Sequence, residues 1–495
     1  MEFLSLLEDD LNNVDKTDNG AKSYKSTKSD LVDLFGSISA SRNNLSIIDT
    51  FLKACDIDLE TSVRILFHCR DIRGGQGERK VFRILLSNLA LTHPELTLKL
   101  LPLVPEYGRW DDLWHLLESD LKDSVLNIAC AQLQKDCDDE NPSILGKWMP
   151  SCNASSKVTK SQAKHFMRYL GMKEKEYRTL LSNLRKKIDV VERKICAKNW
   201  NTINYSKLPS RAGLVHRKTF IKHDSERYSD YVRSLFVLED KINAETLYPY
   251  DIVKQILSNR DSDISELENG LFNAMWKNLP NYMEDKPFEG IVVADVSGSM
   301  YCNDNLPISV SISLAMYIAE KNKGPWANKF ITFSENPQVQ AIIGDNIYEK
   351  VQNLKSADWG MNTNLVSVFE SILDTAKTND ISQKDMPKKV IIVSDMQFDM
   401  ACNSNKRTNL EQIQKKYSKQ GYNLPEIVFW NVNSSSGKYP MKIDDSGTCL
   451  VSGCSPSILK SILQDKIIVP EEVMRDTVYS ERYDPIGKVF QSIAS

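Results

Sequence analysis

Apolar positions in the first half of the chain recur at helical spacing. Ile47, Ile48, Phe51, Leu52 and Cys55 stand in the i, i+3, i+4 relation, and Val81, Leu85 and Leu89 repeat it, which lines one face of an α-helix. Short polar breaks, RGGQG, LTHP, PEYGR and NPS, separate segments of ordinary helix length. From Asp30 to about Met283 this pattern predicts helices throughout, stacked as hairpins of an α-solenoid, although no strict repeat period is present. Near Lys286 the pattern changes. EGIVVADVS, KFITFS, KKVIIVSD and LPEIVFWNV are β-rich runs, separated by stretches long enough for helices. That alternation predicts a parallel sheet covered on both faces. Helices are expected at Asn364 to Ala376 and Asn409 to Lys419. ISVSISLAMYIAE alternates like a strand in its first half, but it follows the first strand and is expected to be a buried crossover helix.

At 495 residues the chain exceeds one ordinary core. The expected division is a mobile arm over 1–28, a helical-repeat domain over 29–285, a doubly wound, Rossmann-like α/β domain over 286–470 and an amphipathic tail over 471–495. The arm is assigned because its Asp, Asn, Lys and Ser show little apolar periodicity. An apolar fraction of 41% and a charged fraction of 26% argue for a globular protein. The opening MEFLSLLEDD has an acidic flank where a secretory leader needs a basic one, so export is not expected. No run approaches the roughly 20 apolar residues that cross a bilayer, so no membrane partner is expected. Ten cysteines without a CxxC pair suggest reduced thiols. The expected setting is the cytoplasm, or the host cytoplasm or virion if the source is a virus. The chain is expected to be monomeric.

Charge is unevenly distributed. Between Ser156 and Lys222, 18 Lys/Arg face only Glu174, Glu176, Asp189 and Glu192, a local balance of +14 in a chain whose net charge is −3. A long basic run mixed with aromatics suggests a phosphate backbone as partner. Arg70, Arg73 and Arg79 flank a glycine turn where guanidinium groups can approach phosphates, and a plain hairpin turn is the competing reading. Arg185, Lys186, Lys187, Arg193, Lys194 and Lys198 come from one helical region and its continuation, too many charges to bury together. These nine residues are the candidate RNA contacts. Tyr177, Trp200 and Tyr205 lie among them; core packing is their default role and stacking on bases the alternative. Trp110 and Trp114 are assigned to packing, and His165 and His216 to structural roles.

In IVVADVSGSM, Asp295 directly follows an apolar strand, with Ser297 and Ser299 two and four residues on. A loop at the carboxyl end of a parallel strand is where open α/β sheets hold ligands, and clustered oxygens suit a hard cation such as Mg²⁺. This DxSxS pattern resembles the metal-ion-dependent adhesion site of von Willebrand factor A domains. The resemblance implies a threonine from a second loop and an aspartate from a third, and WGMNTNL supplies Thr363 and KKVIIVSDMQFD supplies Asp395 at those stations. It implies that Ser297, Ser299 and Thr363 bind Mg²⁺ directly, that Asp295 and Asp395 act largely through water, and that a carboxylate from a protein partner fills the open position. SDMQ and Met361 depart from the residues frequent in the family. No enzyme is indicated. The third position of the motif is Ser297, where haloacid-dehalogenase phosphatases carry an aspartate. All six histidines precede the α/β segment, and neither a Walker A sequence nor HExxH is present. A metal-dependent phosphotransfer or nuclease activity in these loops is the remaining catalytic reading.

A von Willebrand A domain preceded by a long helical array resembles the Ro autoantigen with its TROVE module, whose ring of helical repeats binds structured small RNAs and the ends of misfolded RNAs. DIRGGQGER, PEYGRWDDLW, YRTLLSNLRKKIDVVERKICAKNW and INYSKLPSRA also resemble a family of uncharacterised proteins from plants, amoebae and large DNA viruses. The expected fold is thus α + α/β, a helical-repeat domain followed by a von Willebrand A-type domain. The expected function is non-catalytic binding of structured or misfolded small RNA by the helices, and of an acidic protein ligand by the metal site. The alternative is a protein-interaction scaffold or virion component without RNA.

Overall fold

Two short strands open the chain, β1 (Val14–Lys16) and β2 (Lys22–Tyr24), and six more follow helices: β3 (Gly290–Ala294), β4 (Lys329–Thr332), β5 (Val339–Ala341), β6 (Lys389–Ser394), β7 (Glu426–Asn431) and β8 (Thr448–Ser452). The computed structural model describes residues 4, 8, 10–237, 239–258, 264–284, 288–333, 337–355, 364–399, 408–433, 438–463 and 467–494. Its architecture is mixed, with a helical region in the first part of the chain and a six-stranded sheet in the last. Among the described residues no helix is long and apolar enough to cross a membrane.

The large sheet has the order β5-β4-β3-β6-β7-β8 and is parallel except for β5, which runs antiparallel to β4. Its central strands are buried on both faces, as their unbroken apolar runs require. One face, with Ile291, Val293, Val390, Ile392, Ile427 and Phe429, shares a core with Val366, Phe369, Leu410, Ile413 and Tyr417. Those last five come from the helices Leu365–Thr378 and Asn409–Gln420. Local chemistry sets the helix ends. Asn364 caps the first by accepting the Ser367 N–H, and Thr408 and Glu411 form a reciprocal capping box on the second, which stops at Gly421 with φ +77°. The ambiguous ISVSIS stretch is the helix Leu306–Lys321, buried from Pro307 to Ala319.

The chain divides into two compact units, residues 1–65 with 247–480, and residues 66–246 with 481–495. The boundary expected at 285 therefore falls within the first unit. The reason is packing. The helix Asp30–Ser37 lies on β8 so closely that a Cβ on Gly36 would sit 2.3 Å from Leu450 Cδ2, and Ser452 Oγ donates to Phe35 O at 2.9 Å. Helix Pro249–Ser258 packs against Leu306–Lys321. The first lies on the sheet and the second on a helix that covers it, although the sequence places both in the helical half.

The expected mobile arm also differs. Residues 14–24 form the β1–β2 hairpin, turned at Gly20 with φ +87°, and Ala21 enters the sheet's core with 2% exposure. Tyr24 and Tyr439 exchange backbone hydrogen bonds of 2.9 Å. The expected tail is divided, with helix Pro470–Val478 in the first unit and helix Asp484–Ala494 in the second.

The second unit is helical throughout its described length. Phe67 packs edge-on against Phe82 and Tyr107, Trp114 against Phe166, and Tyr205 against Phe220 and Tyr228. The expected packing roles of Trp114, His165 and His216 fit this arrangement: Trp114 is 4% exposed, His165 faces Glu118 and His216 lies 4.0 Å from Glu192.

Candidate metal centre and basic cleft

The strand order reverses direction between β3 and β6, because β3 continues to β4 on one side while β6, β7 and β8 extend on the other. Such a switch point opens a crevice at the carboxyl ends of its strands. Asp295 follows β3, Asp395 follows β6, and the Asp295 N–H reaches Val393 O at 3.0 Å. Two loops distant in sequence thus bring both carboxylates together.

Asp295 is wholly buried. Its Oδ1 accepts the Ser297 N–H at 2.9 Å and its Oδ2 the Ser394 hydroxyl at 2.5 Å. Ser297 Oγ and Ser299 Oγ stand 3.1 Å apart. Asp395, 3% exposed, accepts the Gln397 N–H at 3.2 Å and a hydrogen bond from Ser299. Burial pushes the Asp295 carboxyl above the usual carboxylate range. Burial, and next the charge of Asp295, push Asp395 up to about 7. Among the described residues no Lys, Arg or His forms an ion pair with either. Two buried carboxylates with adjacent hydroxyls and no counter-charge form a donor set that fits a hard divalent cation, which would reverse the electrostatic cost of their burial. No group of three or more His, Cys, Asp or Glu side chains is arranged to hold a metal among the described residues, so the set rests on two acids and the serines. Thr363 lies outside the described residues.

Sequence reasoning missed the groups that hold these loops. Ser394, directly before Asp395 in VIIVSD, ties the two loops together through Asp295. The Asp395 loop is clamped by the hairpin: Thr17 Oγ1 donates to Phe398 O at 2.6 Å, Asn19 Nδ2 to Gln397 O at 2.8 Å, and the Asp18 N–H to Gln397 Oε1 at 2.9 Å. Met396 takes a left-handed φ of +66° in this loop, a strained conformation for a side chain that is 3% exposed. The clamp and the burial together hold it.

The nine basic candidates separate into two sets. Arg70 is 1% exposed, its Nε and Nη2 2.8 and 2.7 Å from Asp112 Oδ2, so the glycine turn points it into the core and it is no RNA contact. Arg185 is bound inward, donating to Gly146 O, Met149 O and Ser151 Oγ at 2.9, 2.8 and 3.0 Å, where it satisfies carbonyls at the end of helix Leu145–Trp148. Lys187 donates to Cys137 O and Asp139 O, and Lys194 to Asp189 and Thr202 O. Arg73, Arg79, Lys186, Arg193 and Lys198 are exposed, as is Lys187, and Arg73 donates to Glu106 O at 3.1 Å. Tyr177 and Tyr205 are core residues, their hydroxyls given to Pro150 O and Asp224, so neither is a stacking platform. Trp200 is half-buried and already stacked on His223 at 5.1 Å.

In the second unit an open cleft of about 640 Å³ is lined by Ser151, Cys152, Lys175, Arg178, Arg185 and Arg193, among others. Lys175 and Arg178 were not singled out by sequence, yet helical spacing from Arg185 carries the signal: positions 175, 178, 182 and 185 share one face of helix Glu174–Lys187. Arg178 makes an exposed 4.0 Å pair with Glu174, an interaction that leaves its charge available.

Residues 17–144 and 143–287 match a family described as domain of unknown function DUF2828, and residues 289–491 one described as domain of unknown function DUF7788. The chain is 30% identical to uncharacterized protein L728 of Acanthamoeba polyphaga mimivirus, over 93% of this chain and 86% of that protein. The DUF2828 match runs through both compact units, whereas the Asp295 and Asp395 loops lie in the DUF7788 part. This chain belongs to the family that joins a DUF2828 region to a DUF7788 domain and includes that mimivirus protein.

Proposed function

We propose that this is a non-catalytic RNA-binding protein of Ro-like plan, whose helical unit holds structured or misfolded small RNA and whose α/β domain, of von Willebrand A type, docks a protein partner. The observation that carries the reading is the basic cleft, where Lys175, Arg178 and Arg193 surround a space large enough for a nucleic-acid backbone. With Tyr177 and Tyr205 buried, the chemistry favours phosphate contacts over base stacking. Mg²⁺ at Asp295, Ser297, Ser299 and Asp395, with Thr363 as the further ligand that the resemblance implies, would supply a coordination position for an acidic side chain. The serines would bind it, while the buried acids would orient bound water and balance charge.

Filter binding of a structured small RNA at rising salt tests the RNA reading. Contacts from Lys175, Arg178 and Arg193 give a slope of log affinity against log salt of about −2 to −3. Absent or salt-independent binding would reject it and leave the protein-interaction scaffold or virion component as the better account.

A further inference from the structure

Two of the sequence motifs, DIRGGQGER and PEYGRWDDLW, converge in the second unit around Asp112. This carboxylate is fully buried and engaged: Arg70 Nε and Nη2 approach Oδ2, Arg83 Nε donates to Oδ1 at 2.6 Å, and the Arg109 backbone N–H adds a 2.9 Å bond. Arg83 also takes Asp111 at 2.8 Å and faces His115 Nε2 at 3.0 Å. The guanidinium groups of Arg70 and Arg83 are thus taken up by Asp111 and Asp112.

Two further arginines of these motifs are Arg79 and Arg109. Arg79 is exposed, and neither it nor Arg109 forms an ion pair among the described residues. The Arg109 guanidinium carbon stands over the Trp148 ring, 4.5 Å from its centroid. A cation over a ring is attracted by its π-face, and a guanidinium held so can still donate hydrogen bonds. Burial, followed by the positive charges of Arg70 and Arg79, lowers the Arg109 pKa, while Asp111 and Asp112 only partly oppose them. The same crowding acts on His115, which burial and Arg83 hold towards its neutral form. Arg79 stands one helical turn before Arg83, whose N–H reaches Arg79 O at 3.1 Å; an exposed fork at the edge of this arginine cluster and a second fork over an indole are groups that can recognise a tetrahedral dianion.

We infer that Arg79 and Arg109 form a phosphate-binding site, separate from the basic cleft, that takes either a terminal phosphate or the phosphodiester backbone of a nucleic acid. It does not require the cleft to bind RNA, and the two sites are tested by different variants.

The test is calorimetric titration of the full chain with inorganic phosphate, a 5′-phosphorylated short ribo-oligonucleotide and the same oligonucleotide with a 5′-hydroxyl. Arg79→Gln should weaken binding of the probe by tenfold or more without changing the melting temperature, because Arg79 is exposed. Arg109→Lys, which keeps the charge but loses the fork, should also weaken it. Arg178→Gln in the cleft should leave inorganic phosphate binding unchanged. Preference for the 5′-phosphorylated oligonucleotide identifies a terminal phosphate as the ligand; equal binding of both oligonucleotides that Arg79→Gln weakens identifies the backbone. The inference is overturned if the parent chain binds none of the three, or if Arg79→Gln and Arg109→Lys bind them as the parent does.

Discussion

Replacing Asp112 by asparagine isolates the difference between a structural arginine and one proposed to contact RNA. Asp112 accepts from Arg70, Arg83 and the Arg109 backbone at 2.6 to 2.9 Å, and neither it nor Arg70 is more than 1% exposed. Asp112→Asn keeps the shape, removes the only carboxylate paired with Arg70 among the described residues, and turns an NH₂ group towards a guanidinium donor. Breaking a buried pair in this way costs about 3 to 5 kcal/mol. For a unit of roughly 200 residues, about 2 to 4 °C of melting temperature per kcal/mol predicts a fall of about 6 to 20 °C. Tryptophan fluorescence during thermal unfolding reads the helical unit through Trp114 and Trp148. The double replacement Arg70→Met with Asp112→Leu should lose less than the sum of the single replacements, since neither charge is then left alone. The reasoning fails if Asp112→Asn melts within about 2 °C of the parent. It fails equally if Arg70→Met weakens RNA binding with unchanged melting.

Three further outcomes follow from the geometry. Asp295→Asn should abolish stabilisation by Mg²⁺, which in the parent reaches about 2.7 kcal/mol at a hundred times the dissociation constant, as a thermal-shift titration will show. Asn19→Ala removes the 2.8 Å bond to Gln397 O; it should lower stability by about 1 kcal/mol and weaken the Mg²⁺ response, and an unchanged titration curve would separate the hairpin from the site. His68, buried against Tyr483 Oη at 2.9 Å, has its pKa lowered by burial to about 4. The unfolded chain then binds the extra proton first, so stability of the helical unit falls as pH drops from about 6.5 to about 4, by up to about 3 kcal/mol. His68→Gln should flatten that slope in denaturant melts at stepped pH, and a slope as steep as the parent's would contradict the assignment.

The central sheet was legible because IVVA, KVIIV and EIVFW are unbroken apolar runs that only a doubly covered strand explains. β8 escaped because TCLVS is short and follows a polar loop, and β5 because Gln340 interrupts a three-residue edge strand. The β1–β2 hairpin escaped for a different reason. Its place is fixed by hydrogen bonds from Thr17, Asp18 and Asn19 to a loop almost four hundred residues away, and periodicity carries no trace of such pairs. Its one local signal was the DNG turn. The paired acids of the candidate site were visible as single residues after strands, but their meeting depends on the reversal of strand order between β3 and β6. Among the basic residues, sequence supplied the charge and not its direction. Arg70 sits four residues before a glycine pair and looks exposed, yet the turn folds it onto Asp112, while Lys175 and Arg178 complete a cleft that begins 20 residues or more upstream, at Ser151.

The most direct measurement is ultraviolet cross-linking of RNA to the full chain from its native source, with the modified peptides located by mass spectrometry. The account predicts cross-links concentrated in peptides between Ser151 and Lys198, lost on Arg178→Glu with Arg193→Glu. Cross-links confined to the metal-site loops, or none above a protein without RNA affinity, would contradict it.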